Sequence, residues 1–220
     1  MLNIHYPLIA EWLCFISAIL LLRPLDKYWH TLRFYLGFVV YTESIGYYMI
    51  AVTKCPSNNW LYNLSILVEY GYGIWLLSNL INLKYIKFIC GIAYLLFYTS
   101  YFIEYVNQSF SIEFFFNKAD AVGSQVMIVL CMTYYFALFK EEKYVNLLKE
   151  PLFWLVSGYF IFYTTSIGVD TFFKKLVDVT KVHSISLRYI ILKFLNPILY
   201  VCWIGAFLCI RNKRKLIQQL

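Results

Sequence analysis

Apolar residues occupy this chain in seven long stretches, and only short polar connections separate them. A run of about 20 apolar residues crosses a hydrocarbon core of roughly 30 Å as a helix. In hydrocarbon, only helices and closed barrels satisfy their own backbone hydrogen bonds. The pattern predicts helical spans at about 7–22, 33–52, 59–80, 85–104, 119–140, 151–170 and 188–210. Pro7 and Pro151 stand in the first turns of spans 1 and 6, where a missing N–H costs little, and Pro24 marks the exit from span 1. Residues 1–6 hold no Lys or Arg and no small-x-small cleavage site follows, so span 1 reads as a retained helix rather than a secretory signal. The expected fold is all-α: a polytopic seven-transmembrane-helix bundle forming one transmembrane domain over 1–220, with no soluble domain.

Composition sharpens this reading. The chain is 61% hydrophobic and 14% charged, whereas soluble domains carry about 25% charged residues. That excludes a soluble protein. The net charge of +7 is spread among short connections and forms no continuous patch, so nucleic acid is not an expected partner. The basic residues instead set orientation. One set of connections holds Arg23, Lys27, Arg33, Lys84, Lys87, Lys140, Lys143, Lys149, Arg211, Lys213, Arg214 and Lys215, twelve in all. The other holds Lys54, Lys118, Lys174, Lys175, Lys181 and Arg188, six in all. Twelve against six places the N-terminus outside and the C-terminus inside, in a bacterial inner or plasma membrane. The basic tail from Arg211 is expected to rest as a short segment against anionic inner-leaflet lipids. Five of the six cysteines lie within or at the edges of spans, Cys55 alone lies in an outer connection, and no disulfide framework or Cys/His metal spacing is present.

One stretch repeats. Tyr41-Thr42-Glu43-Ser44-Ile45-Gly46 in span 2 matches Tyr163-Thr164-Thr165-Ser166-Ile167-Gly168 in span 6 at five of six positions. Tyr72 and Trp75 of span 3 match Tyr200 and Trp203 of span 7. Together they predict two parallel three-helix units joined by span 4, an arrangement found in small transporters. This 3+1+3 topology, over the whole chain, resembles that of SWEET and nicotinamide-riboside-type carriers, and also of opsins and seven-helix receptors. The prolines that SWEET-type carriers place in several spans are absent. Asn196-Pro197-Ile198-Leu199-Tyr200 looks like the NPxxY motif of G-protein-coupled receptors, but it falls in the outer half of span 7, where that motif belongs at the inner end, so nothing is carried over from it. Spans 6 and 7 also resemble uncharacterised seven-helix bacterial membrane proteins, which implies no activity.

Charged groups within spans are costly and so are candidates for function. Glu43 and Glu69 each lie about ten residues into spans 2 and 3, or about 15 Å deep. Lys193 lies about five residues into span 7, roughly 8 Å deep. Glu11, Glu104, Asp120 and Asp170 gather toward the outer ends. Ser65, Glu69, Tyr72 and Gly73 share one stripe of span 3, and Glu43, Gly46, Tyr47 and Ile50 share one stripe of span 2. Lys193, Asn196, Pro197, Tyr200 and Trp203 do so in span 7, where Pro197 cannot donate to the Lys193 carbonyl. The expected site is an outward pocket with Glu43 and Glu69 at its floor, Tyr47, Tyr72, Lys193, Asn196 and Tyr200 on its walls, and Glu11, Glu104, Asp120 and Asp170 at its rim. The competing reading is an ion pair of Lys193 with Glu43 or Glu69 that ties helices together. Midspan tyrosines such as Tyr47, Tyr72 and Tyr200 are candidates for cavity walls, though packing more often explains such residues. His5 and His183 lack metal-ligand spacing, so no metal is expected. No cofactor is expected either, a retinal Schiff base on Lys193 being the remote option. No HExxH, GxSxG or His/Cys constellation is present. The leading expectation is a sensor or receptor-like protein binding a small polar or cationic solute and signalling through a membrane or cytoplasmic partner. A small-solute or proton-coupled transporter comes second and an intramembrane enzyme third.

Overall fold

A computed structural model describes residues 6–23, 27–140, 146–171 and 187–218. Seven α-helices and one short 3₁₀ turn, and no strand, occur among the described residues. The helices are α1 (Tyr6–Leu21), α2 (Lys27–Ala51), α3 (Asn59–Leu80), α4 (Ile86–Asn107), α5 (Asn117–Lys140), α6 (Pro151–Thr171) and α7 (Leu187–Gln218), and the 3₁₀ turn is Leu147–Lys149. Four segments are long and apolar enough to cross a membrane: Ile86–Asn107, Asn117–Lys140, Pro151–Val169 and Phe194–Leu216. These four helices are consistent with a helical membrane protein. The apolar part of α1, Pro7–Leu21, is shorter. Helices α2 and α3 are long, 25 and 22 residues, but carry more polar side chains.

Two helix ends differ from the expected spans. Helix α2 begins at Lys27, six residues before the expected 33. The polar turn Lys27-Tyr28-Trp29-His30-Thr31 lacks hydropathy but contains no helix breaker. Helix α7 runs on to Gln218, so the basic segment 211–215 forms its last turns rather than a separate tail. A cationic helix C-terminus complements the macrodipole there.

The chain divides into two compact units. One comprises Met1–Arg33 and Lys143–Leu220, and the other comprises Phe34–Glu142. This grouping cuts across the expected three-one-three division, because α1 joins α6 and α7 while α3, α4 and α5 pack together.

In the first unit, α7 packs against both α1 and α6. Small residues allow the α6–α7 approach. A Cβ on Gly158 would meet Cys202 at 3.0 Å and Trp203 at 3.3 Å, and one on Gly205 would meet the Trp154 ring at 3.3 Å. Each helix therefore lays an indole over a glycine of the other. Trp203, Tyr159 and Tyr163 are fully buried there, with Tyr159 edge-on to Trp203 at 5.1 Å. At the C-terminus of α1, Arg33 donates to the Leu22 carbonyl and Arg214 to the Leu21 carbonyl. Guanidinium groups there satisfy orphan carbonyls and the negative end of the helix.

In the second unit, α3 packs on α4 and α5, which also pack on each other. The α3 stripe Asn63, Ile66, Tyr70, Ile74 and Leu77 is buried, at the spacing of one helical face. The Tyr70 ring lies on Gly123, where an added Cβ would come within 2.6 Å of it.

The six-residue likeness between α2 and α6 does not extend to environment. Tyr41 is 66% exposed and its counterpart Tyr163 is 1% exposed. A Cβ on Gly46 would meet Tyr62 and Asn58, whereas one on Gly168 meets nothing within 4 Å. Trp75 is exposed and Trp203 buried.

Candidate functional site

The candidate carboxylates of the second unit lie on α2 and α3. Glu43 is half-buried, and its Oε2 accepts a hydrogen bond from the Tyr62 hydroxyl at 3.1 Å. One turn further along, the Asn58 side chain donates to the Gly46 carbonyl at 3.3 Å. Gly46 is needed here, because a Cβ would come within 2.7 Å of the Tyr62 oxygen. At the other end of the pair, the Tyr35 and Tyr72 rings stack at 4.4 Å with planes 10° apart. These three contacts share one antiparallel register.

That register staggers the two acids. Glu69 lies seven residues beyond Tyr62, about 10 Å along α3. Its level on α2 is near Gly37 and Phe38, not Glu43. The two carboxylates therefore do not stand at one depth, as equal distances into two spans had implied. The reason is that α2 overshoots α3: Asn58, the residue before α3, already pairs with Gly46, five residues short of the end of α2. Glu43 sits near the α2–α3 connection and Glu69 lies deeper. Tyr47, one turn after Glu43, is 39% exposed, and Glu69 and Tyr72 are half-buried.

The opposite face of α3 is polar as well, and its polar groups are tied into packing. Asn63 is completely buried. Its amide donates to the Ile112 and Phe114 carbonyls at 3.1 and 2.8 Å, and its side-chain oxygen accepts from the Phe116 N–H at 3.0 Å. Tyr101 donates to its backbone carbonyl at 3.2 Å. One amide thus clamps the α4–α5 connection onto α3. Two residues of that connection, Ser109 and Phe110, adopt left-handed φ values of 54° and 60°. Such strain persists only where surrounding contacts over-determine it. The Tyr70 hydroxyl donates to Asp120 Oδ1 at 2.6 Å and lies 2.8 Å from the Ser124 hydroxyl.

Glu104 and Asp120, expected at an outer rim, serve this packing. Glu104 is buried, and its carboxylate accepts from the backbone N–H groups of Lys118 and Ala119 at 3.2 and 2.7 Å. It caps α5 from another helix, filling two of the four orphan donors of a helix start. Asp120 receives Tyr70. In the first unit, Glu11 is buried within α1, Asn196 and Pro197 are half-buried in α7, and Tyr200 is buried edge-on to Trp203 at 5.9 Å. The side chains of Lys193 and Asp170, and both His5 and His183, lie outside the described residues. No cluster of three or more metal-ligating side chains occurs among the described residues.

Charge-based reading of the sequence missed Tyr62, Asn63 and Ser124. Asn63 carries a signal all the same: it is a polar residue on the stripe whose other members, Ile66, Tyr70, Ile74 and Leu77, are apolar or aromatic. A polar residue on a buried stripe must find partners. Its partners lie about fifty positions away, beyond the reach of local pattern.

The chain matches no protein-family model, no curated protein and no solved structure.

Proposed function

We propose that this chain is a seven-span membrane protein of a bacterial inner or plasma membrane, N-terminus outside, that binds a small polar or cationic solute against α2 and α3 and signals through a membrane or cytoplasmic partner. The observation that carries the reading is Glu43. A carboxylate accepts about four hydrogen bonds, and Tyr62 supplies one. The remaining acceptor capacity, beside the exposed Tyr47 ring, suits an ammonium or hydroxyl-rich solute. An aromatic face attracts the same cation. Glu69 extends the acidic strip about 10 Å deeper, where a longer or second cation is accommodated. Glu104 and Asp120 of this unit are engaged in capping and packing, so the division of labour on α3 favours its α2-facing side as the binding face.

A panel of small ammonium compounds and amino acids, tested by thermal shift on the purified full chain, checks this. At least one compound should raise the unfolding midpoint of the natural protein, Glu43→Gln should remove that shift while the protein still unfolds cooperatively, and Tyr62→Phe should weaken it. A ligand shift unchanged in Glu43→Gln would place the site elsewhere. The transporter reading is favoured by one specific feature, the depth of Glu69 in α3. Uptake into proteoliposomes that Glu69→Gln abolishes would replace sensing with transport.

A further inference from the structure

At the C-terminal end of α7, a cavity of about 430 Å³ lies between that helix and the 3₁₀ turn that precedes α6. Its lining is apolar at Leu148, Cys209 and Leu216 and polar at Lys149, Asn212, Lys213 and Lys215. The walls are held in place. The Leu148 carbonyl accepts from the Trp154 indole N–H at 3.0 Å and from the Cys209 thiol at 3.3 Å. Lys213 donates to both oxygens of Glu150 at 2.9 Å. That ion pair occupies one ammonium group and positions α7 against the turn. Lys149 and Lys215 are exposed and have no ion-pair partner among the described residues.

We propose that this cavity is a headgroup site for an anionic phospholipid. Two uncommitted ammonium groups and the Asn212 amide supply the positive charge and the donors that a phosphodiester's oxygens accept from. Leu148 and Leu216, 66% and 63% exposed, would be misplaced in water beside lysines. They are well placed where a headgroup meets its acyl chains. The cavity also stands where Phe194–Leu216, an apolar segment long enough to span, reaches its basic end. Basic pockets between membrane helices hold anionic headgroups by these interactions, each Lys near the surface adding to the attraction. A diffuse film of lipid over a positively charged end needs none of this construction. A site does, and it discriminates between lysines.

The test uses the purified full chain and native mass spectrometry with phosphatidylglycerol or phosphatidylcholine at equal concentration. One phosphatidylglycerol should be retained in preference to phosphatidylcholine. Lys149→Gln combined with Lys215→Gln should lower that occupancy about tenfold or more. Lys84→Gln with Lys87→Gln, which removes two basic residues around the start of α4, should leave it unchanged. Millimolar inorganic phosphate should not displace the lipid, because it lacks the acyl chains that cover Leu148 and Leu216. Equal retention of phosphatidylcholine, or equal loss from both double variants, would overturn the site in favour of diffuse attraction. Displacement by inorganic phosphate would overturn the lipid as its occupant.

Discussion

Asn63 organises the second unit through one side chain. Its amide and carbonyl satisfy three backbone groups of the α4–α5 connection, in a place closed to water. Replacing it by leucine keeps similar bulk but strands two carbonyls and an N–H. An unsatisfied buried group costs about 1–3 kcal/mol. Asn63→Leu should therefore destabilise the protein by about 2–4 kcal/mol, read as a lower midpoint of thermal unfolding in detergent. Glu104 acts at the same scale. Glu104→Ala uncovers the first N–H groups of α5 and should cost about 1–2 kcal/mol, whereas Glu104→Gln, which keeps one acceptor oxygen, should cost less. Neither role was legible in the sequence, though both residues were visible as polar groups in apolar surroundings. Glu104 read as a solvated rim group because sequence order hides the α5 start that folds back onto it. Glu43 and Glu69 were legible as costly charges in apolar helices, but their relative depth was not. It depends on where α2 ends and α3 begins, and helix ends are the least patterned part of an apolar segment.

At the scale of elements, glycines separate contact from exposure. Gly123 in α5 faces the Tyr70 ring, and that ring cannot yield. It is buried against Phe97 at 4.9 Å, and its hydroxyl is held by Asp120 and Ser124. A methyl group added there would overlap ring carbons at 2.6 Å. Gly123→Ala should force α3 and α5 apart and destabilise by about 1–3 kcal/mol. Gly91 in α4 is exposed, and a Cβ there meets nothing within 4 Å. Gly91→Ala changes only backbone freedom and should stabilise by up to about 1 kcal/mol. Thermal unfolding of the two variants should therefore shift in opposite directions. If both fall together, the α3–α5 contact is not the one described. The hydrophobic pattern located the centres of all seven expected helices, because lipid-length apolar runs leave few alternatives. It did not reveal their partners, since in a chain so uniformly apolar the side of a helix that meets protein looks like the side that meets lipid. The short likeness between α2 and α6 illustrates the difficulty: shared letters, with Tyr41 exposed and Tyr163 buried.

For the whole molecule, orientation decides which proposals are compatible. The solute site near Glu43 lies close to the α2–α3 connection, and the lipid cavity lies at the C-terminal end of α7. Under the orientation proposed from the basic residues, the α2–α3 connection is expected outside and the C-terminal end of α7 inside. The native cysteines report on this without added reporters. Cys14, Cys90, Cys131 and Cys202 are buried, while Cys55, in the α2–α3 connection, and Cys209, in the wall of the lipid cavity, are partly accessible. A membrane-impermeant maleimide added to intact cells should label Cys55 and leave Cys209 unmodified. Labelling should disappear in Cys55→Ser, and permeabilising the cells should restore one modification, removed in turn by Cys209→Ser. The reverse pattern would invert the protein. The Glu43 face would then open to the cytoplasm, which rules out sensing of an external solute. The Lys149–Lys215 cavity would face the outer leaflet, yet its selectivity for phosphatidylglycerol in detergent would be unaffected, because that rests on local charge and not on sidedness. Labelling and lipid binding therefore fail separately, and their combination distinguishes an error of topology from an error of site.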